Sequence, residues 1–243
     1  MARTIAIIQA RTGSTRLRGK VLMPLLGEPI LSRVVSRASR ATRLDEVVVA
    51  TTAEPADDPI VQLAAREGWP IERGSEHDLL DRYVQAARSH RAQVVVRITS
   101  DCPLVDPDVV DLVVGAFQEA GADYASNTLA PRTFPLGLDV EVMTIDSLER
   151  AWRDDTDPAW REHATPYLYR HPELFALLRV PNDVDLSAHR WTVDTPEDYD
   201  LVDRIYRSIG HDRFTWREAL AVVEAHPGWA AINAQVRQKA VPP

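Results

Sequence analysis

Three short runs, Ile5–Gln9, Glu46–Thr51 and Val94–Ile98, do most to limit the folds open to this chain. Each is a nearly unbroken series of Ile, Val and Ala, so each must be covered on both faces, as strands inside a parallel sheet are. Helical periodicity fills the intervals, over Ile30–Arg40, Asp58–Glu67 and Asp78–Ser89. A further helix, Pro107–Ala120, begins with Asp106 as N-cap and proline at the first helical position. Tyr124–Asn127 is the next strand. This alternation predicts an α/β fold with a Rossmann-like, doubly wound, mostly parallel sheet. The second half reads as irregular α+β. Val140–Thr144 is a strand, Asp146–Arg153 a helix, and Arg161–His171 a helix that Pro166 must end or kink. Trp191–Val193 reads as a short strand, Thr195 and Pro196 start a helix reaching Ser208, and Trp216–Ala225 is the last helix. The tail from Gly228 reads as loosely held.

Apolar residues make up 45% of the 243 and charged residues 26%, enough for a sizeable core. The formal charge of -8 lacks the basic excess of a protein that grips nucleic acid by its phosphates. The single cysteine, Cys102, rules out an internal disulfide and fits a reducing compartment. The apolar run at the N-terminus stops at Arg11, too short for a signal-peptide core or a membrane helix, so a cytoplasmic protein with no membrane partner is expected.

The segment Gln9-Ala10-Arg11-Thr12-Gly13-Ser14-Thr15-Arg16-Leu17-Arg18-Gly19-Lys20 follows directly on the first strand. Ligands of open parallel sheets bind beyond the strands' carboxyl ends. Gly13, Ser14 and Thr15 can bring backbone N–H groups to phosphate oxygens, and Arg11, Arg16 and Lys20 supply the charge a triphosphate needs. It is neither a Walker loop, having five residues between Gly13 and Gly19 and Val21 after Lys20, nor a G-x-G-x-x-G fingerprint. The competing reading is a solvated basic loop; the place after the first strand argues against it.

Two aspartates fall at strand ends far apart in sequence. Asp101 ends the run Arg97-Ile98-Thr99-Ser100, and Asp194 lies within Arg190-Trp191-Thr192-Val193-Asp194-Thr195-Pro196-Glu197-Asp198. Mg²⁺ takes hard oxygen ligands, often one or two carboxylates with water and phosphate, and this pair suits it. Taken alone, Asp194 is as good a helix cap as a ligand, and Asp106 and Asp198 are read as caps and no more.

The run IIQARTGSTRLRGKVLMPLLGEPIL resembles the N-terminal signature of the CTP-dependent cytidylyltransferases, which include the CMP-Kdo and CMP-sialic acid synthetases; the nearest likeness is the branch of spore-coat polysaccharide biosynthesis protein F. Arg18 stands where that signature has proline and Glu28 where lysine is frequent. The strand-ending Asp101 before Pro103-Leu104, and Val193-Asp194-Thr195-Pro196-Glu197-Asp198, match two further elements. The likeness spans roughly residues 3 to 208. It implies the nucleotide-diphospho-sugar transferase type of fold and one domain over 1–243, with a nucleotide-binding half (1–126), an acceptor and dimerisation half (127–210) and a C-terminal helix and tail (211–243). It implies that Ala10, Arg11, Gly13, Ser14, Arg16 and Lys20 bind the triphosphate. Arg73, Gly74 and Ser75 would read the nucleoside, with Ser75 also a candidate cap for the following helix. Asp101 and Asp194 would hold Mg²⁺.

The acceptor side would comprise Asn127, Asp139, Glu141 and His163. Asp139 and Glu141 share one strand face, where they bind acceptor hydroxyls, help the metal or face water; His163 is an acceptor or interface residue, or a satisfied structural histidine. The expected reaction is attack by a small acidic acceptor on the α-phosphorus of CTP, with Lys20, Arg11, Arg16 and Asp101 as the catalytic set. A homodimer is expected by resemblance, with Trp152, Trp160, Tyr167 and Tyr169 as candidate interface aromatics. A glycosyltransferase of related fold and a non-catalytic nucleotide-binding protein are the rival readings. The basic loop disfavours the first, and the presence of Lys20 with both aspartates disfavours the second.

Overall fold

The computed structural model describes residues 2–239. In chain order its elements are β1 (Thr4–Gln9), a β2–β3 hairpin (Pro24–Leu25 and Glu28–Pro29), α1 (Ile30–Ala38), β4 (Glu46–Thr52), α2 (Asp58–Glu67), β5 (Ile71–Gly74), α3 (Leu79–Ser89), β6 (Val94–Thr99) and α4 (Pro107–Ala120). There follow β7 (Tyr124–Ser126), β8 (Glu141–Thr144), α5 (Ile145–Asp154), α6 (Pro158–Arg161), α7 (Pro166–Arg170), β9 (Leu177–Arg179), α8 (Pro196–Ile209) and α9 (Trp216–Ala225). Seven strands form one sheet in the order β5-β4-β1-β6-β8-β7-β9. β8 is antiparallel to both its neighbours, and every other pairing in the sheet is parallel. No helix among the described residues is long and apolar enough to cross a membrane.

The apolar runs behave as their composition requires. Ala6, Ile8, Val47, Val49, Val94, Val96 and Ile98 enter a core under α1, α2, α4, α8 and α9. The alternate residues Ile5, Ile7, Val48, Ala50 and Val95 enter a second core under α3, α5 and α7. The period of two thus buries both faces of one sheet. After β5 the chain crosses back to lay β6 on the other side of β1. The loops after β1 and β6 leave the same carboxyl edge at this reversal, the place where such sheets bind ligands.

Several local expectations change. Trp191–Val193 is not a strand; the segment is tied by a single bridge between Leu136 and Arg190. The expected helix Arg161–His171 is not continuous: α6 ends at Arg161, residues 162–165 turn, and Pro166 heads α7. Ser75 does not cap α3. Asp78 does, accepting from Asp81 N at 2.8 Å, while Ser75 Oγ accepts from Asp78 N at 3.0 Å. The tail is held over 228–239, residues 240–243 lying outside the described residues: Asn233 is buried and hydrogen-bonded, and Trp229 and Ile232 pack on the core.

Asp106 and Asp198 are more than caps. Asp106 accepts from Asp108 N at 2.9 Å and also from Trp216 N at 2.7 Å, joining α4 to the start of α9 beside buried Arg37. Burial pushes its carboxyl up, against the pull of those N–H donors and Arg37. Asp198 completes a capping box with Thr195 and is also the fully buried counter-ion of Arg190.

Candidate active site

The loop after β1 is shaped by a residue that sequence reasoning missed. Buried Asp57, just before α2, accepts from Thr12 N and Thr12 Oγ1, both at 2.7 Å, and from Thr52 Oγ1. Gly19 N donates to Thr12 O at 3.0 Å and closes the loop, and Gly19 takes a left-handed φ of 67°, natural for glycine. Ser14 Oγ accepts from Leu17 N at 3.3 Å, and Gly13 faces Glu76 across the loop. Ala10 is buried where β1 runs out, its N–H donating to Ala50 O. The turn delivers Lys20 to the start of a single 3₁₀ turn, Lys20–Leu22, with its side chain directed inward.

There Lys20 meets both aspartates. Lys20 Nζ donates to Asp101 Oδ2 at 2.7 Å and to Asp194 Oδ1 at 2.8 Å. Asp101 follows β6, and the residues before Asp194 are held to it by Val193 N donating to Asp101 O at 2.7 Å. Arg16 and Arg190 each place an NH2 group 2.9 Å from Asp194 Oδ2. Burial alone would lower the Lys20 ammonium, but the two carboxylates outweigh it and hold it above its ordinary value. Burial would raise Asp101; the Lys20 charge, together with hydrogen bonds from Lys20, Thr99 and its own backbone N–H, outweighs that and holds its carboxyl below the usual range. Arg11 pairs with Glu162 at 3.3 Å, both largely exposed.

Two carboxylates close enough to share one ammonium, in a pocket rich in cationic charge, form a hard-oxygen donor set that fits one divalent ion. No group of three or more candidate ligands exists among the described residues, so the remaining positions would fall to water and phosphate, as Mg²⁺ tolerates. An ion held by both aspartates would compete with the Lys20 ammonium for the place between them.

Among the residues expected to read the nucleoside, the Arg73 guanidinium is engaged by Thr52 O (2.9 Å), Glu54 O (3.0 Å) and Asp58 (2.8 Å). Gly74 lets α3 approach: a Cβ there would lie 3.1 Å from Arg82 Cγ. Ser75 O accepts from Arg82 NH1 at 3.0 Å.

The acceptor candidates cluster on the antiparallel side of β6. The Asn127 amide is spent on backbone, donating to Leu138 O at 2.7 Å and accepting from Val140 N at 2.9 Å. Asp139 is held at two points by Arg132, at 2.6 and 3.0 Å. Glu141 accepts from Tyr124 OH at 2.6 Å and pairs with Arg97, which also donates to Gln9 Oε1 at 3.0 Å. Burial lowers the His163 imidazole, and the positive charge of nearby Arg97 lowers it further. Arg97 and Arg132 were not among the expected site residues. Arg97 carried a signal, since a lone cation inside the run VVVRIT must be paired once buried.

Comparison with known proteins places the chain in a family. The family model described as Cytidylyltransferase matches residues 5–219. The chain belongs to the cytidylyltransferase family. The spore coat polysaccharide biosynthesis protein SpsF of Bacillus subtilis is 35% identical over 211 residues, covering 84% of this chain and 86% of its own. A cytidylyltransferase structure from Leptospira borgpetersenii superposes with a TM-score of 0.90 at 33% identity, over 99% of this chain and 100% of that one. A CMP:2-keto-3-deoxy-manno-octonic acid synthetase, solved in complex with CTP, shares the fold, with a TM-score of 0.67 at 18% identity over 86% of this chain and all of its own. The chain is accordingly an enzyme, a cytidylyltransferase on an α/β fold, and its sequence likeness to the spore-coat branch holds.

Proposed function

We propose that this cytidylyltransferase uses CTP and Mg²⁺ to place CMP on a small acidic acceptor, a sugar acid or a phosphorylated or phosphonate compound, with release of pyrophosphate. The observation that carries the reading is the convergence of Asp101 and Asp194 on Lys20 beside the Arg11–Lys20 loop. CTP in the related synthetase supports the donor. An acceptor oxygen attacks the α-phosphorus, the bond to the bridging α–β oxygen breaks, and pyrophosphate leaves with that oxygen. Such transfers need mainly positioning and charge neutralisation. Asp101 and Asp194 would hold the ion, which supplies positive charge to the transferring phosphoryl group. Lys20, Arg11 and Arg16 would take up the charge of the leaving pyrophosphate. A phosphate or phosphonate acceptor attacks through an oxygen that is already anionic and needs no protein base; a sugar acid attacks through a hydroxyl, whose proton passes to water.

Ala10, Gly13 and Ser14 would line the triphosphate, and Arg73, Gly74 and Ser75 the nucleoside. Arg73 acts there by bracing the ends of β4 and β5, given its bonds. Asn127, Asp139, Glu141 and His163 would form the acceptor wall, where Arg97 and Arg132 supply cations for an acid. This reading keeps one domain, with residues 1–126 serving the nucleotide and 127–210 the acceptor and a homodimer contact, in the cytoplasm. The test is a screen of acidic acceptors with CTP and Mg²⁺, followed by pyrophosphate release and by ³¹P NMR of the CMP ester. Turnover with CTP and at most a trace with ATP, GTP or UTP is expected. Equal use of all four triphosphates, or product without pyrophosphate, would overturn it.

A further inference from the structure

Arg190 has a role that the motif alone does not disclose. Its guanidinium is gripped on three sides. Nε and NH2 donate to the two oxygens of Asp198 at 2.8 and 3.0 Å, NH2 also donates to Asp194 Oδ2 at 2.9 Å, and NH1 donates to Gln238 Oε1 at 2.8 Å. Asn233 closes the ring, its Nδ2 donating to Arg190 O at 2.9 Å and to Asp198 Oδ1 at 2.8 Å. Asp198 Oδ2 in turn accepts from Asp194 N at 3.0 Å. Asp194, Asp198, Arg190 and Asn233 are all buried, and Asn233 is the one buried residue in a stretch, Ala231–Lys239, that is otherwise partly or fully exposed.

We propose that the segment after α9 is part of the active site: through Asn233 and Gln238 it fixes Arg190, and Arg190 fixes Asp194 so that Oδ1 faces the reaction centre. A guanidinium between two carboxylates is free to slide toward either one. The Gln238 contact on its third side, and the Asn233 contact to Asp198, remove that freedom. Oδ2 of Asp194 is thereby committed to Arg190 and Arg16, and Oδ1 is left for Lys20 or the ion. Within the same segment, the charge of Lys239 bears on His163. Arg190, Asn233 and Gln238 are positioning residues, since none of them faces the reacting atoms. The inference rests on the proposed metal role of Asp194.

Outer-shell partners of metal-holding carboxylates change metal affinity or activity by about 10–100-fold when removed. The test is calorimetric affinity for CTP in Mg²⁺ and in EDTA, for the full chain and for Asn233→Ala, Gln238→Ala, Gln238→Glu and Gln235→Ala. Gln238→Ala is expected to lose about tenfold or more of the Mg²⁺-dependent gain in CTP affinity, keeping the affinity in EDTA, with kcat falling in parallel. Gln238→Glu keeps an acceptor for Arg190 NH1 and should retain the gain. Gln235, exposed and among the described residues bonded through its side chain to Ile232 O, is the control and should match wild type. Because Gln238 is exposed, its variants test the inference even where Asn233→Ala unfolds. A wild-type gain that Gln238→Ala leaves intact overturns the inference alone. A wild type with no gain overturns the metal reading and the inference with it.

Discussion

Replacing Lys20 by methionine keeps most of the side chain's volume and removes its charge, leaving Asp101 and Asp194 facing each other. At 2.7 and 2.8 Å, each contact carries a gross attraction on the order of 6 kcal/mol at an effective dielectric constant of about 20. Most of that offsets desolvation, and removing one partner of a buried ion pair costs about 3–5 kcal/mol. The lower end applies here, because Arg16 and Arg190 still neutralise Asp194 and the Asp101 side chain is 24% exposed. For a chain of this length, about 3 kcal/mol lowers Tm by roughly 6–12 °C. A thermal melt by circular dichroism at neutral pH and low salt reads this directly. Mg²⁺ should restore part of the loss in Lys20→Met, and an equal ionic strength of NaCl should not.

The sign with pH follows from the shifts. The Asp101 carboxyl is held below its ordinary 3.8, so its contribution is present above that value and is lost as pH falls through the lower folded value. The Lys20 ammonium is held above 10.5, so its contribution is present below 10.5 and is lost only as pH rises past the folded value. The gap between wild type and variant should therefore be flat through neutral pH and close in strong acid. A variant melting at or above wild type throughout would refute the reasoning.

Asp106→Asn should cost about 1–3 kcal/mol in a denaturant titration, because an amide turns a donor toward Asp108 N or Trp216 N, both of which need an acceptor; kcat should not change. Gly137→Ala should cost at least the 1–3 kcal/mol or so of a strained backbone: φ is 111°, and a Cβ would fall 2.6 Å from Thr192 N and from Trp191 C, displacing the chain that leads to Asp194. Loss of both turnover and melting temperature would show it. The proposed homodimer should give twice the chain mass of 27.2 kDa by light scattering at micromolar concentration; a mass of one chain would remove it.

The sheet's interior was legible because β1, β4 and β6 have neighbours on both sides and apolar cover on both faces. β5 was not, because it is an edge strand with one neighbour and mostly half-exposed residues, which leaves Ile71-Glu72-Arg73-Gly74 without an apolar signature; β9, Leu177-Leu178-Arg179, is apolar but only three residues long, too short to mark a strand by its pattern. Trp191–Val193 misled for the opposite reason: it is buried, yet it is held by backbone bonds to a loop and to Asp101 rather than by a ladder. At the site, the meeting of Lys20 with Asp101 and Asp194 was foreshadowed by their motifs and, for Asp101, by its place just after β6, whereas Asp194 follows no strand. Asp57, Arg132 and the Arg190 clamp were hidden, since their partners lie 45, 7 and up to 48 residues away and only folding brings those partners together.

The central claim is that Asp101 and Asp194 act on the transferring phosphate as a pair. It is tested most directly by the turnover of Asp194→Asn at saturating CTP and limiting Mg²⁺, with the acceptor found in the screen. Amide and carboxylate are nearly equal in size, so the fold should survive by circular dichroism. Loss of one electrostatic stabiliser costs on the order of 10²–10³ in rate, and a fall of that size, matched by Asp101→Asn, is the expected result. Near-normal turnover of a folded Asp194→Asn protein would make Asp194 a structural partner of Arg190 and would contradict the account.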